Sequence, residues 1–407
     1  MFKLKTAIFA GALLLSAGIV SACGAPAPQP TSAPVVQTVA VPQTVAVPQT
    51  VAVPQTVVIE KVITPTPGPQ PTAAPKAGSV AITGAGATFP NPLYSRWFYD
   101  YAFVDTSAKI NYQSIGSGGG ISAITSKTVD FGASDAILND AQYTAAPGIQ
   151  MLPTVAGAIV PVYNLKDTDG KVITATIKFP ATSIADIYLG KIKTWDDPVL
   201  KGANPDIKLP SKPINIVRRS DGSGTTFAFT DYLSKVSDDW KSKVGSANSV
   251  SWPVEGIGGK GNEGVTAMVG LNDGTIGYVE YAYAKQNSLT YGSVQNKAGN
   301  YVTASAASVQ ADMADFGTNM GDKLALSIAN GPGKDSWPIS TYTYLLLYMD
   351  QTDCVKGKKI TDFVKWALTD AGAQKTAQGL DYVTLPDAVT QQVLAKLGKI
   401  TCQGKPF

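Results

Sequence analysis

The sequence predicts an α/β fold for the part of the chain that begins at Ser79. Short apolar β-type runs alternate there with helical patterns, and small-residue turns separate the two. Leu93, Tyr94 and Trp97 fall at helical spacing and predict a helix that packs on a core. Residues 361–368 have the pattern of an amphipathic helix. With 407 residues, the chain is long enough for two globular lobes beside a leader and a linker.

Residues 1–22 have the pattern of a bacterial lipoprotein signal peptide. A short basic region, Met1 to Lys5, precedes an apolar region, Ala7 to Val20, and Cys23 then follows small residues. The apolar region is too short to predict a transmembrane helix. Cleavage before Cys23 would leave this cysteine lipidated, and its acyl chains would anchor the protein stably to a membrane. An ordinary secretory leader, in which Cys23 is incidental, is the alternative.

Residues 23–78 are rich in Pro, Thr, Val and Ala and predict a disordered linker. The hexapeptide Gln-Thr-Val-Ala-Val-Pro recurs from Gln37, Gln43 and Gln49. Proline at every sixth position blocks helices and central strands, so it favours an extended, polyproline-like chain. At about 3.1 Å per residue, such a spacer could reach on the order of 150 Å.

Four segments place small or hydroxylic residues after a candidate strand, where open α/β sheets bind ligands. In the most informative one, the β-type run 214–217 leads through Arg218 and Arg219 into a Ser-Asp-Gly turn, and Thr225 opens a helical pattern. The first N–H groups of a helix lack partners and attract anions. A plain strand–turn–helix connection with a Ser or Asp N-cap is the alternative. The other three segments are 83–92, 114–122 and 130–136.

The composition excludes several classes of function. The chain contains no histidine, which removes Ser-His-Asp and Cys-His catalysis and histidine metal sites. Three cysteines cannot build a thiolate zinc or iron–sulfur centre. The net charge of +3 is too small to indicate nucleic-acid binding. We therefore expect no metal, no cofactor and no nucleic-acid partner.

A series of longer motifs contains these segments: TGAGATFPNPLYSRW, INYQSIGSGGG, VDFGASDA, DIYLGKIKTWDDP, RRSDGSGTTFAFTDYL, GIGGKGNEGV and GTIGYVEYAYAKQ. In content and order they resemble the high-affinity phosphate-binding proteins of ABC-type phosphate importers, the PstS family. The resemblance covers roughly residues 79–386. It implies a two-lobed, periplasmic-binding-protein-like fold of type II, with a ligand cleft between the lobes. Residues 79–155 and 330–407 would form one lobe, and residues 156–329 the other.

The resemblance also implies a set of phosphate-binding residues that come from all four segments. They are Thr88, Phe89, Ser117, Asp135, Arg219, Ser223, Gly224 and Thr225. Thr88 would contribute its hydroxyl and Phe89 its amide. Asp221 would support the site by orienting Arg219 through an ion pair.

Asp135 is the one acid in this set, and we predict that it discriminates between oxyanions. An ionised carboxylate only accepts hydrogen bonds, so it favours a ligand that carries an O–H and repels a fully deprotonated one. Phosphate keeps at least one proton near neutral pH, whereas sulfate keeps none. A site of this kind can reject the analogue that lacks its partner by roughly 10⁴-fold. A helix N-cap or a surface acid is the alternative role for Asp135.

The expected function is that of a lipid-anchored, extracytoplasmic solute-binding protein that captures inorganic phosphate. Its partners would be the membrane subunits of an ABC permease, and we expect a monomer on the outer side of a bacterial membrane, in the periplasm or at the cell surface. A binder of arsenate or sulfate is the first alternative. A hydrolase with Ser117 or Ser223 as nucleophile lacks a histidine base. A stalked adhesin would need no anion-binding segments.

Cys354 and Cys402 are the only cysteines beyond Cys23. Since an exported location permits oxidation, they are candidates for a disulfide that holds the C-terminal tail on its lobe. Two separate free thiols are the alternative, and the family pattern does not require the pair.

Overall fold

The structure is a computed structural model and describes residues 78–407. The predicted signal peptide, the lipidation site Cys23 and the linker as far as residue 77 lie outside the described residues. Within residues 78–407, no helix has both the length and the apolar character that crossing a membrane requires.

The described part of the chain consists of strands and helices in alternation. The strands are β1 (Val80–Gly86), β2 (Ala108–Ser114), β3 (Phe131–Ser134), β4 (Ile149–Asn164), β5 (Lys178–Phe179), β6 (Asn215–Arg219), β7 (Ile257–Gly259), β8 (Thr275–Glu280), β9 (Thr290–Tyr291), β10 (Ser293–Gln295), β11 (Tyr301–Val302), β12 (Ser340–Tyr348), β13 (Asp350–Gln351), β14 (Val383–Thr384), β15 (Thr401–Cys402) and β16 (Lys405–Pro406). The helices are α1 (Asn91–Val104), α2 (Ser117–Thr125), α3 (Asp140–Ala145), α4 (Ser183–Tyr188), α5 (Pro198–Ala203), α6 (Gly224–Val236), α7 (Asp238–Lys243), α8 (Gly261–Leu271), α9 (Tyr281–Gln286), α10 (Ala306–Asp315), α11 (Cys354–Thr369), α12 (Ala371–Gly379) and α13 (Asp387–Leu397). This alternation confirms the predicted α/β class.

The main sheet has the strand order β2-β1-β3-β12-β4-β8-β6-β7, and β14 and β9 pair with β4 beside it. Strand β1 is parallel to β2 and β3, and β6 is parallel to β7 and β8. Between these two parallel sets, β12 and β4 run antiparallel to their neighbours. The sheet therefore has two parallel halves that an antiparallel centre joins.

Strand β4 passes from one half of this sheet to the other. Residues 149–158 pair with β12, and residues 159–164 pair with β8. All of its residues except the last are buried. The predicted lobe boundary between residues 155 and 156 falls inside this continuous strand, and that exact division stays a prediction.

Helix α1 confirms the predicted aromatic core helix. Leu93, Tyr94, Trp97 and Tyr101 are buried, and their spacing places them on one face of the helix. The indole nitrogen of Trp97 donates to the carbonyl oxygen of Ala373 at 2.9 Å, which satisfies its only polar group. The C-terminal amphipathic helix is also present, as α11, and residues 277–283 form the end of β8 and the start of α9, all buried.

Cys354 and Cys402 form a disulfide, with their Cα atoms 5.3 Å apart. Cys354 is the first residue of α11, and Cys402 ends β15, which pairs with β13 and β16 in a small separate sheet. The bond therefore ties the C-terminal strands to the start of α11.

Candidate anion-binding site

The parallel pairing of the strands brings the predicted site residues together. Because β1, β2 and β3 are parallel neighbours, their carboxyl ends meet at one edge of the sheet. Thr88 follows β1, Ser117 follows β2 and Asp135 follows β3. In the other half of the sheet, β6 ends at Arg219 and the turn that follows leads to Ser223 at the start of α6.

Three of the segments expected after strands overlap the strands themselves. Residues 83–86 lie in β1, Ser114 ends β2, and residues 131–134 form β3. The reason is tight packing: a side chain on Gly84 would overlap the ring of Phe131, and one on Gly120 of α2 would lie 2.5 Å from the Cα atom of Gly86. The small residues here allow strand and helix backbones to approach closely.

The start of α6 has an N-cap, as a plain strand–turn–helix connection would, and it also has the free N–H groups expected of an anion-binding segment. Ser223 is the N-cap, and its hydroxyl oxygen accepts a hydrogen bond from the Thr226 N–H at 3.0 Å. The N–H groups of Gly224 and Thr225 have no acceptor within the described residues, although both residues are buried. The helix therefore presents two free backbone donors together with its positive dipole end.

Arg219 is held by a bidentate ion pair with Asp221. Its Nε and Nη2 atoms donate to the two carboxylate oxygens of Asp221 at 2.8 and 2.5 Å, and 1% of its side chain is exposed. Asp221 Oδ1 also accepts the N–H of Gly261 at the start of α8. Burial acts to raise the pKa of Asp221, but the hydrogen bonds and charge of Arg219 outweigh it, so the pKa is lowered. The guanidinium plane is thus fixed within the site.

Asp135 is neither a surface acid nor a helix cap. It is 1% exposed, and α3, the next helix, has Asn139 as its N-cap. Burial raises the pKa of Asp135 to about 7, against the opposing effects of a hydrogen bond from Thr343, the charge of Arg219 and a hydrogen bond from Ser117. This carboxyl therefore changes charge near neutral pH.

The two halves of the sheet meet at Asp135 and Gly224. A Cβ atom on Gly224 would lie 2.5 Å from both Asp135 Oδ2 and Ser117 Oγ. Close by, the N–H of Gly118 donates to the carbonyl oxygen of Gly222 at 2.9 Å. Only glycine permits this approach at position 224.

Residues outside the predicted set also contact it. Asn262, near the start of α8, donates to the hydroxyl oxygens of Thr88 and Thr225 at 2.8 and 3.2 Å. The hydroxyl of Tyr283 donates to the carbonyl oxygen of Thr88 at 2.6 Å, and Tyr382 donates to that of Phe89 at 2.7 Å. The motifs GIGGKGNEGV and GTIGYVEYAYAKQ contain Asn262 and Tyr283, but their spacing gave no sign of these contacts.

The eight residues predicted to bind phosphate form one connected, buried cluster. Contacts run from Ser117 and Asp135 through Gly224 to Thr225. Thr225 in turn contacts Arg219, and Asn262 links Thr225 to Thr88. The N–H of Phe89 has no acceptor among the described residues. A cluster of N–H and O–H donors with one carboxyl matches a tetrahedral oxyanion that retains a proton.

Nothing in the described residues indicates a metal site. No group of three or more histidine, cysteine or acidic side chains within residues 78–407 is arranged to hold a metal ion.

Comparisons with known proteins place the chain in a family. Residues 65–371 match the model of the PBP superfamily domain. The phosphate-binding protein PstS of Xylella fastidiosa strain 9a5c is 46% identical over 318 residues, which cover 78% of this chain and 85% of that protein. The PstS protein of Pasteurella multocida is 45% identical over 315 residues, 77% of this chain and 89% of that protein.

A solved structure gives the same fold. The phosphate-binding protein from Stenotrophomonas maltophilia superposes with a TM-score of 0.60 at 18% identity and covers 78% of this chain and 94% of its own. Together with the sheet described above, this likeness confirms the two-lobed, periplasmic-binding-protein-like fold. On the sequence identity and coverage of its relatives, the chain belongs to the PstS family of phosphate-binding proteins.

Proposed function

We propose that this chain captures inorganic phosphate at the cluster around Asp135 and Arg219 and delivers it to an ABC-type permease. The observation that carries the proposal is a set of buried donors without acceptors within residues 78–407: the N–H groups of Phe89, Gly224 and Thr225. Arg219 lies beside this set, since its Nη1 atom is 3.4 Å from Thr225 Oγ1. Buried donors without partners are costly, so a site of this kind is built for a ligand that accepts several hydrogen bonds at once. Membership of the PstS family supports phosphate as that ligand.

Asp135 supports phosphate over fully deprotonated tetrahedral anions. Its Oδ2 atom faces the start of α6, where the free donors lie. Arg219 and the helix N-terminus attract negative charge, whereas an ionised Asp135 accepts a hydrogen bond from one ligand O–H. Hydrogen phosphate offers that proton and sulfate does not, while arsenate has the protons of phosphate and should compete with it.

A thermal-shift series tests this function. Phosphate, arsenate and sulfate are added to the ligand-free protein at matched ionic strength, and the unfolding midpoint is followed. A ligand that binds only the folded state raises the midpoint by mass action. We expect a rise with phosphate and arsenate and none with sulfate; an equal rise with all three anions would refute selective phosphate capture.

Anchoring to the outer side of a membrane through Cys23 is part of the same proposal. Its support is the lipoprotein pattern of residues 1–23, followed by a proline-rich segment long enough to hold the folded part away from the membrane surface. Cys23→Ser should move the protein out of the membrane fraction. Continued membrane association of this variant would contradict lipid anchoring.

We also propose that the chain acts without catalysis. Ser117 and Ser223, the two candidate nucleophiles, accept hydrogen bonds from backbone N–H groups, and the chain has no histidine that could remove their protons. The protein should therefore release no phosphate from p-nitrophenyl phosphate. Turnover that disappears in Ser117→Ala or Ser223→Ala would contradict this part of the proposal.

A further inference from the structure

We propose that Asn262 is a positioning residue that makes the hydroxyls of Thr88 and Thr225 obligate hydrogen-bond donors to the anion. The inference deepens the proposed function and rests on it. A threonine hydroxyl carries one proton and two lone pairs, so it can either donate to an anion or turn a lone pair toward it. The contacts of Asn262 remove this choice.

The orientation of the Asn262 amide follows from its partners. Its Oδ1 atom accepts a hydrogen bond of 3.0 Å from the backbone N–H of Glu280. A backbone N–H can only donate, so the amide oxygen must lie on that side and the Nδ2 atom on the other. Asn262 is fully buried. The Nδ2 atom therefore faces the two threonines with both of its protons.

Both lone pairs of the Thr88 hydroxyl are used by Asn262. The Nδ2 atom donates to Thr88 Oγ1 at 2.8 Å, and the backbone N–H of Asn262 donates to the same oxygen at 3.1 Å. The hydroxyl proton is then the only part of this group left for a further bond. Thr88 is 2% exposed, and its hydroxyl proton has no acceptor in the described part of the chain.

The Thr225 hydroxyl is occupied in the same way from two sides. The second proton of Asn262 Nδ2 reaches its Oγ1 atom at 3.2 Å, and Arg219 Nη1 donates to it at 3.4 Å. Thr225 is completely buried, and residues 78–407 provide no acceptor for its hydroxyl proton. One amide thus fixes the direction of two hydroxyls that lie in different segments of the site.

This arrangement complements Asp135. The hydroxyls can only donate, so they reject a ligand proton, whereas the ionised carboxyl can only accept, so it requires one. A ligand with one proton satisfies both, provided that the proton points to Asp135. Asn262 therefore contributes to selectivity although it makes its contacts through other residues.

The test is a double-mutant cycle on phosphate affinity, measured by calorimetry on the purified full-length chain. Asn262→Leu removes the amide and keeps the branched shape of the side chain, and it should weaken phosphate binding roughly tenfold, since each misdirected hydroxyl forfeits a hydrogen bond. The same substitution is then made in a Thr88→Val, Thr225→Val background, where there is no hydroxyl to direct. There its effect should fall to about twofold or less.

Asn296 provides a matched control. It is 2% exposed and donates through Nδ2 to the carbonyl oxygens of Gly333, Lys334 and Ser336, away from the cluster. Asn296→Leu should lower the unfolding midpoint without changing phosphate affinity. If Asn262→Leu fails to fold by circular dichroism, Asn262→Ala enters the same cycle without added apolar bulk.

The outcomes separate the two proposals. If the wild-type protein does not bind phosphate, the proposed function fails and the role of Asn262 fails with it. If the wild-type protein binds but Asn262→Leu weakens binding equally in both backgrounds, or not at all, phosphate capture stands and the role of Asn262 is refuted. An equal loss of affinity in Asn296→Leu would also refute it.

Discussion

The hydroxyl of Thr343 donates a hydrogen bond of 2.7 Å to Oδ1 of Asp135. Thr343 lies in β12, at the antiparallel centre of the sheet, and Asp135 follows β3, the neighbouring strand. The bond occupies one carboxylate oxygen and leaves Oδ2 to face Gly224 and Ser117. Asp135, the one acid among the eight predicted residues, therefore has a single oxygen left to accept a hydrogen bond from a ligand. A single acceptor matches a ligand that carries a single proton.

Replacing Asp135 by asparagine should relax the exclusion of sulfate. The amide supplies a donor where the carboxylate only accepts, so a fully deprotonated anion no longer meets repulsion. Phosphate affinity should fall and sulfate should begin to compete, as measured by competitive calorimetry. Asp140→Asn is the charge-matched control, because the Asp140 side chain is 99% exposed, and it should behave as wild type. Unchanged selectivity in Asp135→Asn would contradict the role of Asp135.

The stability of the ligand-free protein should depend on pH through Asp135. Its folded-state pKa is about 7 and its ordinary value is 3.8, so the folded protein binds more protons than the unfolded chain between these values. The contribution of this group to stability is complete below pH 4 and is lost as the pH rises to about 7, at most about 4 kcal/mol.

Asp135→Asn should remove this pH dependence. Its unfolding free energy, relative to that of the wild-type protein, should increase from pH 4.5 to pH 7.5 in phosphate-free urea titrations. Asp312, with its pKa raised to about 8 mainly by burial, titrates in both proteins, so its contribution cancels in the difference. A difference that stays constant with pH would show that Asp135 is already ionised at low pH in the folded state.

A side chain at position 224 should block the site. In Gly224→Ala, the new methyl group would lie 2.5 Å from Asp135 Oδ2 and Ser117 Oγ, so these groups must move apart. We expect phosphate affinity to fall about ten- to a hundredfold, the scale of an overpacked interior. Gly202→Ala is the control, because position 202 lies in α5 with open space around it and should gain helix stability. Wild-type affinity in Gly224→Ala would show that phosphate binding does not require this close approach of Gly224 to Asp135 and Ser117.

The two adjacent arginines should differ sharply in their effect on binding. Arg219→Ala removes a buried guanidinium that Asp221 orients, and it should weaken phosphate binding about tenfold or more. Arg218→Ala removes the same charge one residue away, where the side chain is partly exposed, and leaves the ion pair intact. Equal losses of affinity in the two variants would indicate that net charge alone matters and that the fixed plane of Arg219 does not.

The parts of the site that the sequence predicted are those with local signals. The run from β6 through the turn to α6 lies within about twenty residues, and its N-cap, free amides and arginines follow from the order of residue types. The aromatic face of α1 follows from helical spacing in the same way. The α/β class follows from the alternation of strand and helix patterns. The two-lobed fold and the membership of the eight residues in one cluster came from the resemblance, because no local pattern fixes which strands become neighbours.

The parts that the sequence analysis missed depend on contacts between distant segments. Asn262 lies 174 residues from Thr88, and Tyr382 lies 293 residues from Phe89. Neither residue has a local sequence signal, because its partner becomes a neighbour only when the sheet forms. Because Gly, Ala and Ser usually indicate turns, the sequence pattern places residues 83–86 and 131–134 after strands and not within them. Here these residues are buried on both faces, and close packing overrides their local preference.

The most direct test of the account is calorimetric titration of the ligand-free, full-length protein, first with phosphate and then with sulfate at the same ionic strength. The account predicts tight binding of one phosphate per chain and no heat of binding from sulfate. Sulfate binding comparable to that of phosphate would contradict the selectivity assigned to Asp135, and a folded protein that binds neither anion would contradict phosphate capture itself.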